Sequence, residues 1–237
     1  TIPCVLLLMD HWPLARYGRV PVRTILLEKV PFFVLVFCVS VITVIAQSGG
    51  GAVASAEAIP LATRLAHAPI AYWTYIGKAF APINLAIFYP YPEASPGLWK
   101  IGLCATGLFA VSVLAFLLIR RVPYFFVGWF WFVGMLVPVI GIVQVGSQAL
   151  ADRYTYLSLT GIAVVVAFGM KALVARVAFG PAAASVAGVT ASMAMAALPA
   201  GQVGYWRVSE TLFRHAIDVT GGRSPAHTHL GPERDDQ

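Results

Sequence analysis

Five apolar stretches decide what this chain can become. They run over 30–47, 98–119, 123–145, 154–170 and 178–200, and Lys100 is the one charged residue inside them. Each is close to the roughly 20 residues that carry a helix across a hydrocarbon core. In lipid there is no water to satisfy a backbone N–H or C=O, so a single segment crosses only as a helix that pairs its own backbone groups. The sequence therefore predicts an all-α fold. Residues 1–200 form a polytopic transmembrane helix bundle with interfacial helices, and 201–237 form a short helical tail. Composition agrees: 11% of residues are charged and mean hydropathy is +0.80, against about 25% charged in a typical soluble domain.

The charges lie at the ends of these stretches. The segment 10–29 holds Arg16, Arg19, Arg23 and Lys29 against Asp10 and Glu28. Arg120 and Arg121 close one apolar run, and Lys171 and Arg176 close another. These positions suit a cytoplasmic face under the positive-inside rule. The formal charge of +6 then reflects membrane orientation and anionic headgroups, and nucleic acid is not a partner. The opposite face receives the glycine-rich loop 48–54, the aromatic segment 56–92, the turn around Asp152 and the C-terminal tail. The tail is expected to be extracytoplasmic. Arginine outnumbers lysine twelve to four, a GC-rich bacterial signature that points to an inner membrane. Thr1–Met9 is apolar but short, and is read as the later part of a helix.

Segment 56–92 is less apolar than the five runs. It carries Glu57, Arg64, His67 and Lys78, is interrupted by Pro60, Pro69 and Pro82, and is rich in tyrosine. Tyr72, Trp73, Tyr75, Phe88, Tyr89 and Tyr91 suit a membrane interface, so one or two interfacial or re-entrant helices are expected there; a span would invert the later orientation.

Two polar groupings stand out. The turn Gln144–Tyr156 collects Gln144, Gln148, Asp152, Arg153 and Tyr154 between two apolar runs. Ionisable groups at such a boundary are costly and are functional candidates, and a guanidinium can give a phosphate two parallel hydrogen bonds. The bland alternative is a polar reverse turn tied by an Asp–Arg pair. The stretch 75–92 places Lys78 and Asn84 among aromatic rings, which fits an anionic or sugar hydroxyl ligand. Its bland alternative is an interface anchor with a snorkelling lysine. Cys4, Cys38 and Cys104 sit in apolar sequence, and neither they nor the five histidines have metal-ligand spacing. No metal site and no cofactor are expected.

Several separated motifs resemble one family. Leu26-Leu-Glu-Lys-Val-Pro-Phe-Phe33, Asn84-Leu-Ala-Ile-Phe-Tyr-Pro90, Val137-Pro-Val-Ile-Gly-Ile-Val-Gln-Val-Gly146, Ala151-Asp-Arg-Tyr-Thr-Tyr-Leu157 and Tyr205-Trp-Arg-Val-Ser-Glu-Thr-Leu-Phe213 resemble the transmembrane and tetratricopeptide-repeat-containing proteins. These are multi-spanning proteins of the GT-C glycosyltransferase class, similar to protein O-mannosyltransferases. The tail is compatible: Phe213, Ala216 and Leu230-Gly231 fall where a tetratricopeptide repeat places such residues, although Gly221 and Ser209 depart from the pattern.

The resemblance implies a fragment of an enzyme that moves a sugar from a polyprenyl-phosphate donor to an extracytoplasmic protein hydroxyl. Cationic groups would stabilise the departing phosphate. Arg153 is the first candidate for that contact and Lys78 the second, with Gln144, Gln148, Asp152, Tyr154 and Asn84 shaping the site. The acid residues of that class lie in a first external loop that this chain does not include, so the catalytic base is unassigned. Two other readings compete. One is a non-catalytic membrane anchor presenting a tetratricopeptide-repeat domain to protein partners. The other is a transporter, which would want paired ionisable groups mid-membrane and internal repeats.

Overall fold

The computed structural model describes residues 1–49, 60–82, 89–90, 96–142, 148–176, 188–190 and 193. Six helices are found there: α1 (Ile2–His11), α2 (Val22–Gly49), α3 (Leu61–Phe80), α4 (Leu98–Leu117), α5 (Pro123–Leu136) and α6 (Thr155–Val174). Two short strands, β1 (Tyr89–Pro90) and β2 (Gln148–Leu150), pair antiparallel. Three helical segments are long and apolar enough to cross a membrane: Val22–Ala46, Leu98–Leu117 and Asp152–Val174. They overlap the expected runs at 30–47, 98–119 and 154–170, and Val22–Ala46 begins eight residues ahead of the first of these, within the basic segment 10–29. The run at 178–200 falls largely outside the described residues, as does the 201–237 tail.

The run expected over 123–145 is corrected. Helix α5 stops at Leu136 and residues 137–142 follow in turns. The cause is Pro138, which has no N–H to give and whose ring collides with the carbonyl four residues back. At 1.5 Å per residue, 14 residues reach about 21 Å, short of a hydrocarbon core of about 30 Å. Gly141 turns the chain with φ +93°. Irregular backbone inside a bilayer persists only where protein covers it. Here Leu136 and Ile140 are buried.

Helix α3 supplies that cover. It is 20 residues long, yet Arg64, His67 and Lys78 keep it out of the class of apolar crossing helices. Ala68, Ala71, Tyr72 and Tyr75 form one buried stripe at helical spacing. The Tyr72 hydroxyl donates to the Val133 carbonyl at 3.0 Å, one of the last four carbonyls of α5 that have no partner within the helix. Arg64 donates to the Ile142 carbonyl at 3.1 Å. Contacts from residue 72 to 133 and from 64 to 142 set α3 antiparallel to this broken strand of chain. On its other side Trp73 donates to the Cys104 carbonyl at 2.9 Å, and Gly107 leaves room for the indole.

The most extensive helix contact joins α5 to α6. Gly128 and Gly161 meet there backbone to backbone. A Cβ on Gly128 would lie 2.4 Å from the Gly161 carbonyl oxygen, and one on Gly161 would lie 2.3 Å from that of Gly128. Small residues permit this approach, and dispersion over the close surface holds helices together in lipid. Indole N–H groups add ties: Trp131 donates to the Leu157 carbonyl at 3.0 Å and Trp129 to the Ser112 hydroxyl at 2.9 Å. These contacts make α5 antiparallel to both α4 and α6.

The two ends of the bundle differ. The Trp12 ring lies 4.6 Å from Phe168 and 6.3 Å from Tyr124. The segment 10–29, the Arg120–Arg121 turn and the end of α6 therefore share one end. Asp10, 1% exposed, is the hub of this end. It takes Arg16 at 3.0 Å and Lys29 at 2.8 Å, while Glu28 accepts two bonds from Arg16 at 2.7 Å. The start of α6 and the start of α4 lie at the other end.

The glycine contact generates a stability prediction. Gly128→Ala should lower the unfolding midpoint in detergent, with a loss of about 1–3 kcal/mol from overpacking. Gly134→Ala, where a Cβ meets nothing within 4 Å, should not. Equal effects from the two substitutions would contradict the packing described.

Candidate functional site

The polar residues singled out in sequence split by location. Asn84 and Gln144 lie outside the described residues. Gln148 stands in β2, with Pro90 as its register partner. Lys78 ends α3, while Asp152, Arg153 and Tyr154 form a single 3₁₀ turn ahead of α6.

The fold unites two groupings that lie 74 residues apart. The Lys78 ammonium is 3.3 Å from Asp152 Oδ1. Tyr89 completes the group: it accepts a hydrogen bond from Lys78 and donates to Asp152 Oδ2 at 2.8 Å. The ammonium also lies 3.6 Å from the centroid of the Tyr89 ring. Helix ends favour this polarity. A cation belongs at the C-terminal turn of α3 and an anion at the N-terminal entry to α6, because of the partial charges on unpaired carbonyls and amides. Burial pushes the Lys78 ammonium below its ordinary pKa, and the Asp152 charge pulls it back up. The side chains are 18% and 14% exposed, so the pair is largely but not fully buried.

Two elements position Asp152. The Tyr75 side chain, 1% exposed, puts its hydroxyl between the two backbone groups of Ala151. It accepts from the Ala151 N–H at 3.1 Å and donates to the Ala151 carbonyl at 3.3 Å. Burial holds the Tyr75 hydroxyl far above the usual phenol range, so it stays protonated. The Thr155 hydroxyl donates to the Asp152 carbonyl at 2.6 Å. The β1–β2 ladder, with Tyr89 opposite Leu150, brings in Tyr89.

Arg153 is exposed, and its guanidinium carbon sits 5.3 Å from the Tyr154 ring centroid. Tyr154 packs its apolar body on the core. The arrangement therefore has a fixed Lys–Tyr–Asp group with an exposed guanidinium on the next residue. Among the described residues no three His, Cys, Asp or Glu side chains gather to hold a metal ion.

Sequence reasoning named Lys78 and Asp152 in two separate polar groupings and joined them in one site through the family resemblance alone, without pairing them. It treated Tyr75 and Tyr89 as interface aromatics. Tyr75 carried a usable signal, since it falls on the apolar stripe of α3 yet has a hydroxyl that burial forces into a hydrogen bond. Tyr89 carried none, because its role depends on a strand pairing of distant segments.

No family model matches this sequence, and neither a curated protein nor a solved structure shows a match.

The Tyr75 latch is open to test. Tyr75→Phe leaves the Ala151 amide and carbonyl buried without that partner, a cost of about 1–3 kcal/mol. Hydrogen exchange at the Ala151 amide should accelerate at least tenfold, while exchange in the middle of α4 stays as it was. Unchanged exchange at Ala151 would show that the hydroxyl does not hold the turn.

Proposed function

We propose that this chain is part of a membrane glycosyltransferase that takes its sugar from a polyprenyl-phosphate donor and passes it to an extracytoplasmic protein hydroxyl. One observation carries the reading: Lys78, Tyr89 and Asp152 assemble beside exposed Arg153 at the bundle end opposite the arginine-rich one. By the positive-inside rule that end faces away from the cytoplasm. The resemblance of motifs such as Ala151-Asp-Arg-Tyr-Thr-Tyr-Leu157 to the tetratricopeptide-containing GT-C proteins supports the same reading.

Each group takes a chemical role. A departing polyprenyl phosphate gains negative charge, and fixed cations aimed at it lower the barrier because they need no reorganisation. Arg153 offers a planar fork to the phosphate oxygens. Lys78 supplies a second charge from a site where burial strengthens its field. Asp152 has both carboxylate oxygens engaged, by Lys78 and by Tyr89. We therefore give it the task of orienting Lys78, and assign the general base to none of the described residues.

Binding tests the reading without requiring transfer. In detergent, the chain should bind a polyprenyl phosphate in preference to the phosphate-free polyprenol. Arg153→Ala and Lys78→Gln should each weaken that binding about tenfold or more, the scale of a charge-assisted contact of 1.5–3 kcal/mol. In the whole protein, Arg153→Ala should slow sugar transfer about a hundredfold. Equal affinity for the phosphate and the alcohol, or full transfer by Arg153→Ala, would overturn the proposal.

A further inference from the structure

The opposite end of the bundle carries a separate surface, and its chemistry does not depend on the glycosyltransferase reading. Eight cations gather there from three stretches of chain: Arg16, Arg19, Arg23 and Lys29, then Arg120 and Arg121, then Lys171 and Arg176. The Trp12 ring against Tyr124 and Phe168 holds these stretches together. Among the described residues two carboxylates, Asp10 and Glu28, share this end, and both are taken by Arg16 and Lys29. The remaining six, Arg19, Arg23, Arg120, Arg121, Lys171 and Arg176, are all exposed, and among the described residues no carboxylate pairs with them.

We infer that this end is a binding surface for anionic phospholipid headgroups. Three features select lipid over a soluble acidic partner. The cations stand at the ends of helices whose sides are exposed and apolar along their length, as with Leu26, Leu27, Phe116, Leu117 and Leu173. A ligand that meets both must be amphipathic. The aromatic side chains Trp12, Tyr17 and Tyr124 lie at the same level as the cations, as side chains do at a headgroup boundary. Finally, the internal pairing of Asp10 and Glu28 removes these two acids from competition with a phosphate. The surface thus presents six guanidinium or ammonium groups around the rim of an apolar bundle, matched to a ring of phosphodiesters and not to a single small anion.

Co-purification measures this directly. The full chain is taken into detergent with equal amounts of phosphatidylglycerol and phosphatidylcholine, and the retained lipids are separated and quantified. Phosphatidylglycerol should be retained at least fivefold over phosphatidylcholine, and 0.5 M NaCl should reduce that ratio. Arg120→Gln with Arg121→Gln should bring the ratio down by about fivefold per residue or to unity. Lys171→Gln with Arg176→Gln provides a second variant pair, should the first fail to fold. Lys100→Gln, at the other end, should leave the ratio unchanged. A wild-type ratio near one would overturn the inference, as would an equal loss with Lys100→Gln. Retention of nucleic acid or an acidic polypeptide without enrichment of phosphatidylglycerol would assign the surface to a soluble partner and overturn it too.

Discussion

Pro138 sets the problem that the rest of the bundle answers. It ends α5 after 14 residues and leaves carbonyls without helical partners beside the buried side chains of Leu136 and Ile140. Those carbonyls must be satisfied by protein or the segment cannot stay there. Tyr72 and Arg64 of α3 reach Val133 and Ile142. That requirement explains why α3 is amphipathic and charged while its neighbours α4 and α6 are almost uniformly apolar. It also fixes where α3 lies. Once Tyr72 caps α5, Tyr75 and Lys78 of the next turn come to the chain segment that enters α6.

The glycine contact does the complementary work on the other helix. Gly128 and Gly161 let α5 and α6 approach until backbone touches backbone, and the start of α6 is thereby held beside the broken end of α5. Ala151 and Asp152 then fall within reach of Tyr75 and Lys78. The candidate site is the meeting point of these two constraints. Its groups are few, but they are placed by packing and by buried hydrogen bonds, not by flexible side-chain reach.

How much of this was legible in sequence depended on range. Apolar helices over 30–47, 98–119 and 154–170 were readable because uncharged runs of bilayer length in lipid have one outcome, whereas the start of α2 at Val22, among Arg23, Glu28 and Lys29, was not. The grouping of basic residues at one end was readable from their spacing at the edges of those runs. The early end of α5 was signalled by Pro138 but read through, since proline is often tolerated in membrane helices; Pro31 inside α2 is an instance where the helix continues. What separates the two is the context beyond the residue. Val139, Ile140 and Ile142 pack with the buried face of α3, so the chain can leave the helix there without exposing that backbone to lipid. The pairing of Lys78 with Asp152 was not legible, because nothing local in 61–80 or 148–154 encodes which distant partner each will meet. Tyr89 was hidden for the same reason.

The two-ended character of the bundle is the claim on which both the candidate site and the lipid surface rest, and sidedness of labelling tests it most directly. Single cysteines at Lys100 and at Arg121 would be placed in a background with Cys4, Cys38 and Cys104 changed to alanine. Sealed vesicles would then be treated with a membrane-impermeant maleimide before and after permeabilisation. The two positions should label from opposite sides: one in intact vesicles, the other only once the membrane is opened. Labelling of both from the same side would contradict the arrangement of α4 across the membrane, and with it the separation of the Lys78–Asp152 group from the arginine-rich end.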